Sequence, residues 1–261
     1  MSGVMAKPAK ENLKKVKSIL VSQPKPTDEK NPYSILAEKY KLKIDFRPFI
    51  QVEPVTFKEF RKQKIDILNH TAVIFTSRNA VDHFFKLCAE SKVEIPPDMK
   101  YFCISEQTSN YLQKYIVIRK RKIFTGSRTA NDLIEILKKH KNEKYIFPCS
   151  NIRKDDIPEF LQNNDYKHTE AIIYKTVASD LSDLADVNYD IIAFFSPSGI
   201  NSLFVNFPDF VQNDTRIAAF GPTTAKAVRD AGLRLDIEAP LPNAPSMTGA
   251  LELYIKRANN L

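Results

Sequence analysis

The chain has 261 residues, 43% hydrophobic and 27% charged, with a formal net charge of +8. That length suits two compact domains at roughly 100–200 residues each. No apolar run approaches the roughly 20 residues of a membrane span, and the N-terminus has no apolar stretch of secretory type, so a cytoplasmic protein with no membrane partner is expected.

Residues 1–16, with Lys7, Lys10, Lys14 and Lys15, read as a disordered arm. A β-type run at Ser18–Val21 opens the ordered chain, a helical stretch at Tyr33–Tyr40 follows, and then comes a long extended segment, Ile44–Glu53. Strand and helix alternate from there: Ala72–Phe75 with Ala80–Glu90, Tyr101–Ile104 with Thr108–Lys114, Tyr145–Phe147 with Asp155–Asn163. A second extended segment, His168–Ala178, precedes Ile191–Phe195 with Ile200–Asn206 and Arg216–Phe220 with Thr224–Ala231. Short β-branched runs alternating with amphipathic stretches predict an α/β fold built on parallel sheets.

The chain also says nearly the same thing twice. Ile74–Phe85 lines up without a gap on Ala193–Phe204, placing Ser77 on Ser196 at an offset of 119 residues. Ile104–Thr108 answers Phe220–Thr224 at 116, and Thr129–Glu135 answers Ser246–Glu252 at 117. Three matches in one order at near-constant spacing indicate a duplicated unit. The two extended segments occupy matching places, with Phe49 opposite Tyr174 and Val52 opposite Val177. If both carry the chain between domains, two flavodoxin-like parallel-sheet domains are joined by a two-stranded connector, near 44–53 and 168–178. One domain is then 17–50 with 177–261, and the other is 51–176. The repeat alone also allows two sequential domains split near residue 143.

Charge is local. Residues 1–17 carry five lysines against Glu11, Arg119-Lys120-Arg121-Lys122 adds four more cations, and the remainder is neutral overall. A basic tail and one basic loop read as solvated surface, and with no nucleic-acid motif present no nucleic-acid partner is expected.

Ligands of parallel sheets bind beyond the carboxyl ends of the strands, and the turns there are rich in hydroxyls and amides. They are Ser22-Gln23, Thr76-Ser77-Arg78-Asn79, Ser105-Glu106-Gln107-Thr108, Thr125-Gly126-Ser127-Arg128, Ser150-Asn151, Ser196-Pro197-Ser198-Gly199 and Gly221-Pro222-Thr223-Thr224. Helix starts leave N–H groups unpaired and carry positive dipole density, so several facing one cleft would hold an anion with many carboxylates. Each hydroxyl taken singly is also an ordinary helix cap. Phosphate loops, dinucleotide fingerprints and nucleophile elbows are missing from these turns, and the whole chain has only six glycines, so no nucleotide cofactor is expected. His70, His83, His140 and His168 are dispersed without metal-ligand spacing. Cys88, Cys103 and Cys149 are too few and too scattered for a disulfide framework or a C-x-x-C pair, so no metal is expected either.

At Phe194-Phe195-Ser196-Pro197-Ser198-Gly199 and Ala219-Phe220-Gly221-Pro222-Thr223-Thr224-Ala225 the chain resembles the uroporphyrinogen-III synthase family. The likeness extends to Ile74–Ser77, Phe147–Asn151 and Tyr174–Val177, and spans essentially residues 18–257. The resemblance implies two α/β domains, no cofactor, a monomer, and a linear tetrapyrrole substrate in heme biosynthesis, hydroxymethylbilane. The family closes this eight-carboxylate substrate into uroporphyrinogen III with inversion of the last ring. By the same resemblance Tyr174 would assist departure of the terminal hydroxyl. Thr76, Ser77, Ser105, Thr108, Ser150, Asn151, Lys154, Ser196, Ser198, Gly199, Pro222, Thr223 and Thr224 would bind substrate. Ser105 departs from the family pattern, which often has glycine there. Two other readings share these features: a two-lobed protein that binds an anion without converting it, and a flavodoxin-like or receiver-type regulator. The regulator lacks support, since neither a phosphate loop nor an acidic phosphorylation cluster lies at the strand ends.

Overall fold

The computed structural model describes residues 13–117, 119–185 and 188–260. In chain order the elements begin with β1 (Ser18–Val21), α1 (Pro32–Tyr40), β2 (Lys43–Phe46), β3 (Ile50–Pro54) and α2 (Phe57–Lys62). Next come β4 (Ala72–Phe75), α3 (Arg78–Glu90), β5 (Lys100–Cys103), α4 (Glu106–Tyr111), β6 (Ile123–Thr125) and α5 (Ala130–Leu137). They are followed by β7 (Tyr145–Ser150), α6 (Asp156–Asn163), β8 (His168–Ala178), β9 (Ile191–Phe194) and α7 (Pro197–Asn206). The last four are β10 (Arg216–Phe220), α8 (Pro222–Asp230), β11 (Leu235–Ala239) and α9 (Met247–Ala258).

The chain divides into two compact units, Met1–Gln51 with Val177–Leu261, and Val52–Thr176. No division falls near residue 143. The first unit holds a five-stranded sheet of order β11-β10-β9-β1-β2, in which every pairing is parallel. A six-stranded sheet has the order β3-β8-β7-β4-β5-β6, parallel from β8 through β6. The chain crosses between units within β3 and β8, the two neighbouring strands of the connector. Val55 N–H bonds to the Ile173 carbonyl and Ser179 N–H to the Phe49 carbonyl, so numbering rises along one strand as it falls along the other and the pair runs antiparallel.

Each sheet is covered on both faces, which is why its central strands are continuous apolar runs. Strand side chains alternate between faces. In β1, Ile19 and Val21 pack with α1 and α9 residues such as Leu36, Leu251 and Ile255, while Leu20 enters the opposite core with Ile200 and Leu203 of α7. In β4, Val73 and Phe75 pack with Val81 and Phe84 of α3, and Ala72 and Ile74 pack with Leu133 and Leu161.

Three sequence expectations need correction. The arm assigned to residues 1–16 ends earlier: Leu13 packs against the core beside α9, and Val16 is 2% exposed with its N–H bonded to Asn259 Oδ1. Residues 1–12 lie outside the described residues. The segment Ile44–Glu53 is not one extended run, because Ile44–Phe46 belongs to β2, which pairs with β1 from Ser18↔Lys43 to Val21↔Phe46. Pro48, which has no N–H to give a ladder, stands in the gap before β3. Finally, α3, α7 and α8 start two or three residues sooner than predicted, so the polar turns Arg78-Asn79, Pro197-Ser198-Gly199 and Pro222-Thr223 are already first helical turns. Proline at the first helical position loses nothing there, since that N–H has no intrahelical partner.

The elements α2, β6, α5, β11 and α9 lie outside the predicted set. β6 has three residues and directly follows the basic loop, too short for a period to register. β11 is an edge strand carrying Asp236 and Glu238, whose charges mask its pattern.

Candidate functional site

The duplicated turns are helix caps of one geometry. Ser77 (φ −158°, ψ 159°) accepts the Ala80 N–H before α3, and Ser196 (φ −154°, ψ 154°) accepts the Gly199 N–H before α7. Thr129 and Ser246, the third matched pair, cap α5 and α9 in the same way. The second pair diverges: Ser105 caps α4 with an extended backbone, whereas Gly221 caps α8 at φ 89°, the left-handed side that favours glycine. These hydroxyls therefore satisfy one helix N–H each and leave the other first-turn N–H groups turned outward.

Within the unit Val52–Thr176, a cavity of about 560 Å³ opens at the carboxyl ends of β4 and β7. Thr76, Ser150, Lys154 and Tyr174 line it, together with Arg128 and Arg153. Sheet order explains the gathering, because β7 lies beside β4 and the turn after each ends at the same rim. Tyr174 arrives on β8, level with Ser150 in the register. Its hydroxyl is 3.3 Å from Ser77 Oγ, and its ring stacks on His83 of α3 with centroids 5.2 Å apart.

Burial raises the Tyr174 pKa above the ordinary phenol value, with the Ser77 hydrogen bond acting the other way. The side chain is thus a neutral phenol at physiological pH, with a proton to donate. Burial lowers the His83 imidazole below its ordinary value, Asp82 opposing and Lys86 adding to the effect. Arg153 is bound by Glu170 and Asp155, and Arg128 and Lys154 bring two further cations to the wall, with Asp156 as the acidic member. The arrangement offers cations, hydroxyls and one phenol to an anionic guest.

The other expected residues of this unit stand differently. Asn151 Oδ1 accepts from Thr176 N–H at 2.8 Å and from Ser150 Oγ at 3.0 Å, so it braces the turn. Thr108 is 4% exposed and its hydroxyl lies 3.2 Å from Ser105 Oγ, so both oxygens are engaged in the α4 cap and neither lines the cavity.

Within the other unit, the ends of β1, β9 and β10 carry Ser22, Ser196 and Gly221. Gly199 is buried where the first turn of α7 meets the end of β1, and a Cβ there would stand 3.3 Å from the Phe194 ring and 3.8 Å from Ser22 Oγ. Ser198 is half-buried, Pro222 and Thr223 are exposed, and Thr224 is 1% exposed with its side chain turned inward. Of these, Ser198 and Thr223 are the hydroxyls open to a ligand.

Arg128, Arg153, Thr129 and Asn131 line the cavity beyond the expected set. Arg128 ends the polar turn after β6 and Thr129 belongs to the repeat, so both had a signal in the sequence; Arg153 and His83 had none. Among the described residues no group of three or more His, Cys, Asp or Glu is placed to hold a metal ion. Cys88, Cys103 and Cys149 are buried, and burial pushes the first two thiols up to about 12 and the third to about 11, which keeps them protonated and unreactive. No helix among the described residues is long and apolar enough to cross a membrane.

A family model described as uroporphyrinogen-III synthase HemD matches residues 31–249. The uroporphyrinogen-III synthase of Chlorobaculum parvum is 25% identical over 256 residues, covering 92% of this chain and 100% of the relative. That of Saccharomyces cerevisiae is 26% identical over 208 residues, covering 70% and 75%. Among solved structures, a mutant uroporphyrinogen III synthase from the extremely thermophilic bacterium Thermus thermophilus aligns over 94% of this chain and 100% of its own, with a TM-score of 0.56 and 13% identity. The uroporphyrinogen-III synthetase of Helicobacter pylori 26695 aligns over 92% and 99%, with a TM-score of 0.56 and 17% identity. At these identities the solved structures show a shared fold.

Proposed function

The chain belongs to the uroporphyrinogen-III synthase family, and on that premise we propose that it closes hydroxymethylbilane into uroporphyrinogen III, inverting the last pyrrole ring. The observation that carries the reading is the cavity of the Val52–Thr176 unit, where the Tyr174 phenol shares a wall with Arg128, Lys154, Thr76 and Ser150.

The chemistry asks for little covalent help. The terminal hydroxyl leaves as water once it receives a proton, and the pyrrole N–H behind it releases one in return, giving a neutral azafulvene; the last ring attacks to form a spiro intermediate, which reopens and recloses with loss of the ring proton. The free substrate closes unaided without inversion, so the protein's task is to hold one conformation and stabilise developing charge. A buried neutral phenol suits the first step, as hydrogen-bond donor to the departing hydroxyl. Cations and helix-start N–H groups suit the eight carboxylates, with Ser77, Ser105, Thr108 and Asn151 supporting the turns of this unit, Ser198 and Thr223 offering hydroxyls in the other unit, and Ser196, Gly199, Pro222 and Thr224 shaping the turns that carry them.

In this reading the protein works as a cytoplasmic monomer, without cofactor and without a nucleic-acid or membrane partner. The test is product identity. Incubated with hydroxymethylbilane, the protein should yield isomer III after oxidation and separation; isomer I alone would reject catalysis and leave an anion-binding protein.

A further inference from the structure

Tyr174 is held by α3 at two points. Ser77, the cap of that helix, meets its hydroxyl, and His83, within the helix, lies against its ring face at 5.2 Å with 22° between the planes. The matched positions of the other unit also meet, through a different contact. At the offset of 119 His83 answers to Ser202 of α7, and Tyr174 stands opposite Phe49. In the other unit Ser202 Oγ donates to the Phe49 carbonyl, with Phe49 1% and Ser202 0% exposed, so that contact is sealed in the core. In this unit the helix residue has become an imidazole and the strand residue a phenol, and the phenol lines the cavity.

We infer that His83 is a positioning residue for Tyr174: the imidazole fixes the plane of the phenol, as Ser77 fixes the direction of its hydroxyl, so that the proton points into the cavity. The inference rests on the reading that Tyr174 assists departure of the substrate hydroxyl. A flat ring is what the contact requires, since a near-parallel stack constrains tilt where an aliphatic side chain would leave the phenol free to rock. Half-buried between Asp82 and Lys86 on its own helix and Tyr174 on β8, His83 touches no substrate atom in this role.

The test compares His83→Ala, His83→Phe, Tyr174→Phe and the double variant His83→Ala/Tyr174→Phe in steady-state turnover of hydroxymethylbilane. His83→Ala should lower kcat about tenfold with KM within about twofold. His83→Phe, which keeps a flat ring, should restore kcat to within about threefold of wild type. In the Tyr174→Phe background His83→Ala should cost nothing further, because the group it positions is gone. Ultraviolet titration of Tyr174, taken as the difference between each protein and its Tyr174→Phe counterpart, should move to lower pH in His83→Ala as the phenol loses cover. Equal kcat losses in both backgrounds, no rescue by phenylalanine, or an unmoved titration would each overturn the inference. A moved titration together with a fully active Tyr174→Phe would mark a different failure, ending the catalytic reading of Tyr174 and the positioning role with it.

Discussion

Tyr174 Oη and Ser77 Oγ stand 3.3 Å apart, which ties connector strand β8 to the cap of α3 through two hydroxyls. Because Ser77 already accepts the Ala80 N–H at 3.0 Å, it is held in place before it meets the phenol. Replacing Tyr174 by Phe keeps the ring, its stack on His83 and the cap, and removes only the donor. We expect kcat to fall about a hundredfold with KM nearly unchanged, the low end of the range for loss of one positioned proton donor. Initial rates with isomer separation decide it; an unaltered kcat would remove Tyr174 from the chemistry.

In the proposed function Arg128 and Lys154, which line the cavity, hold substrate carboxylates. Each changed to Gln should raise KM about threefold to tenfold, with kcat held, as expected for charges bound equally in ground and transition states. The wild-type KM should itself rise with added salt, and the two variants should show a shallower salt dependence. KM values indifferent to both residues would place the carboxylates elsewhere.

Glu252 on α9 joins that helix to α1: it accepts from Lys39 Nζ at 2.8 Å and from Tyr40 Oη at 2.7 Å, with Lys256 at 3.4 Å. The Lys39 hydrogen bond foremost, then Tyr40, pulls its carboxyl from 4.5 down to about 2. A depressed folded pKa means stability that is fully present above about 4.5 and lost as pH falls through about 2. Glu252→Gln should therefore cost about 1 kcal/mol near neutrality, in line with a partly exposed charge-assisted pair. The gap to wild type should close as unfolding is measured at pH values approaching 2. A gap independent of pH would show that packing, not charge, sets the cost.

Ser202 is wholly buried and donates to the Phe49 carbonyl, next to the connector. That carbonyl also accepts the Ser179 N–H at 2.9 Å, so Ser202→Val removes one of two donors. The expected cost is about 1–2 kcal/mol, seen as a lower urea midpoint at unchanged m. An unshifted midpoint would mean that the hydroxyl carries no net stabilisation.

Much of this was legible in the sequence, for identifiable reasons. Strands buried on both faces show as unbroken apolar runs, and Ile191–Phe194, Ala72–Phe75 and the part of Arg216–Phe220 after its arginine were readable as such. Ser77, Ser105, Thr129, Ser196 and Ser246 cap helices because a short hydroxyl side chain reaches a first-turn N–H from its own position. The family resemblance carried by the S-P-S-G and G-P-T-T turns agrees with the family match over residues 31–249. Edge strands were harder: β2 is half exposed and β11 carries charges, so neither has the pattern of a central strand.

Local matters were settled by the order of residues: which runs form strands, and which hydroxyls cap the helices that follow them. These depend on residues within a few positions of one another, whose sterics and hydrogen bonds act whatever the rest of the chain does. Only the folded arrangement brings Arg128, Lys154 and Tyr174 to one cavity while Thr108 and Thr224 turn inward. The gathering at the cavity follows from the order β8-β7-β4-β5-β6, a product of long-range strand pairing that makes neighbours of residues far apart in the chain.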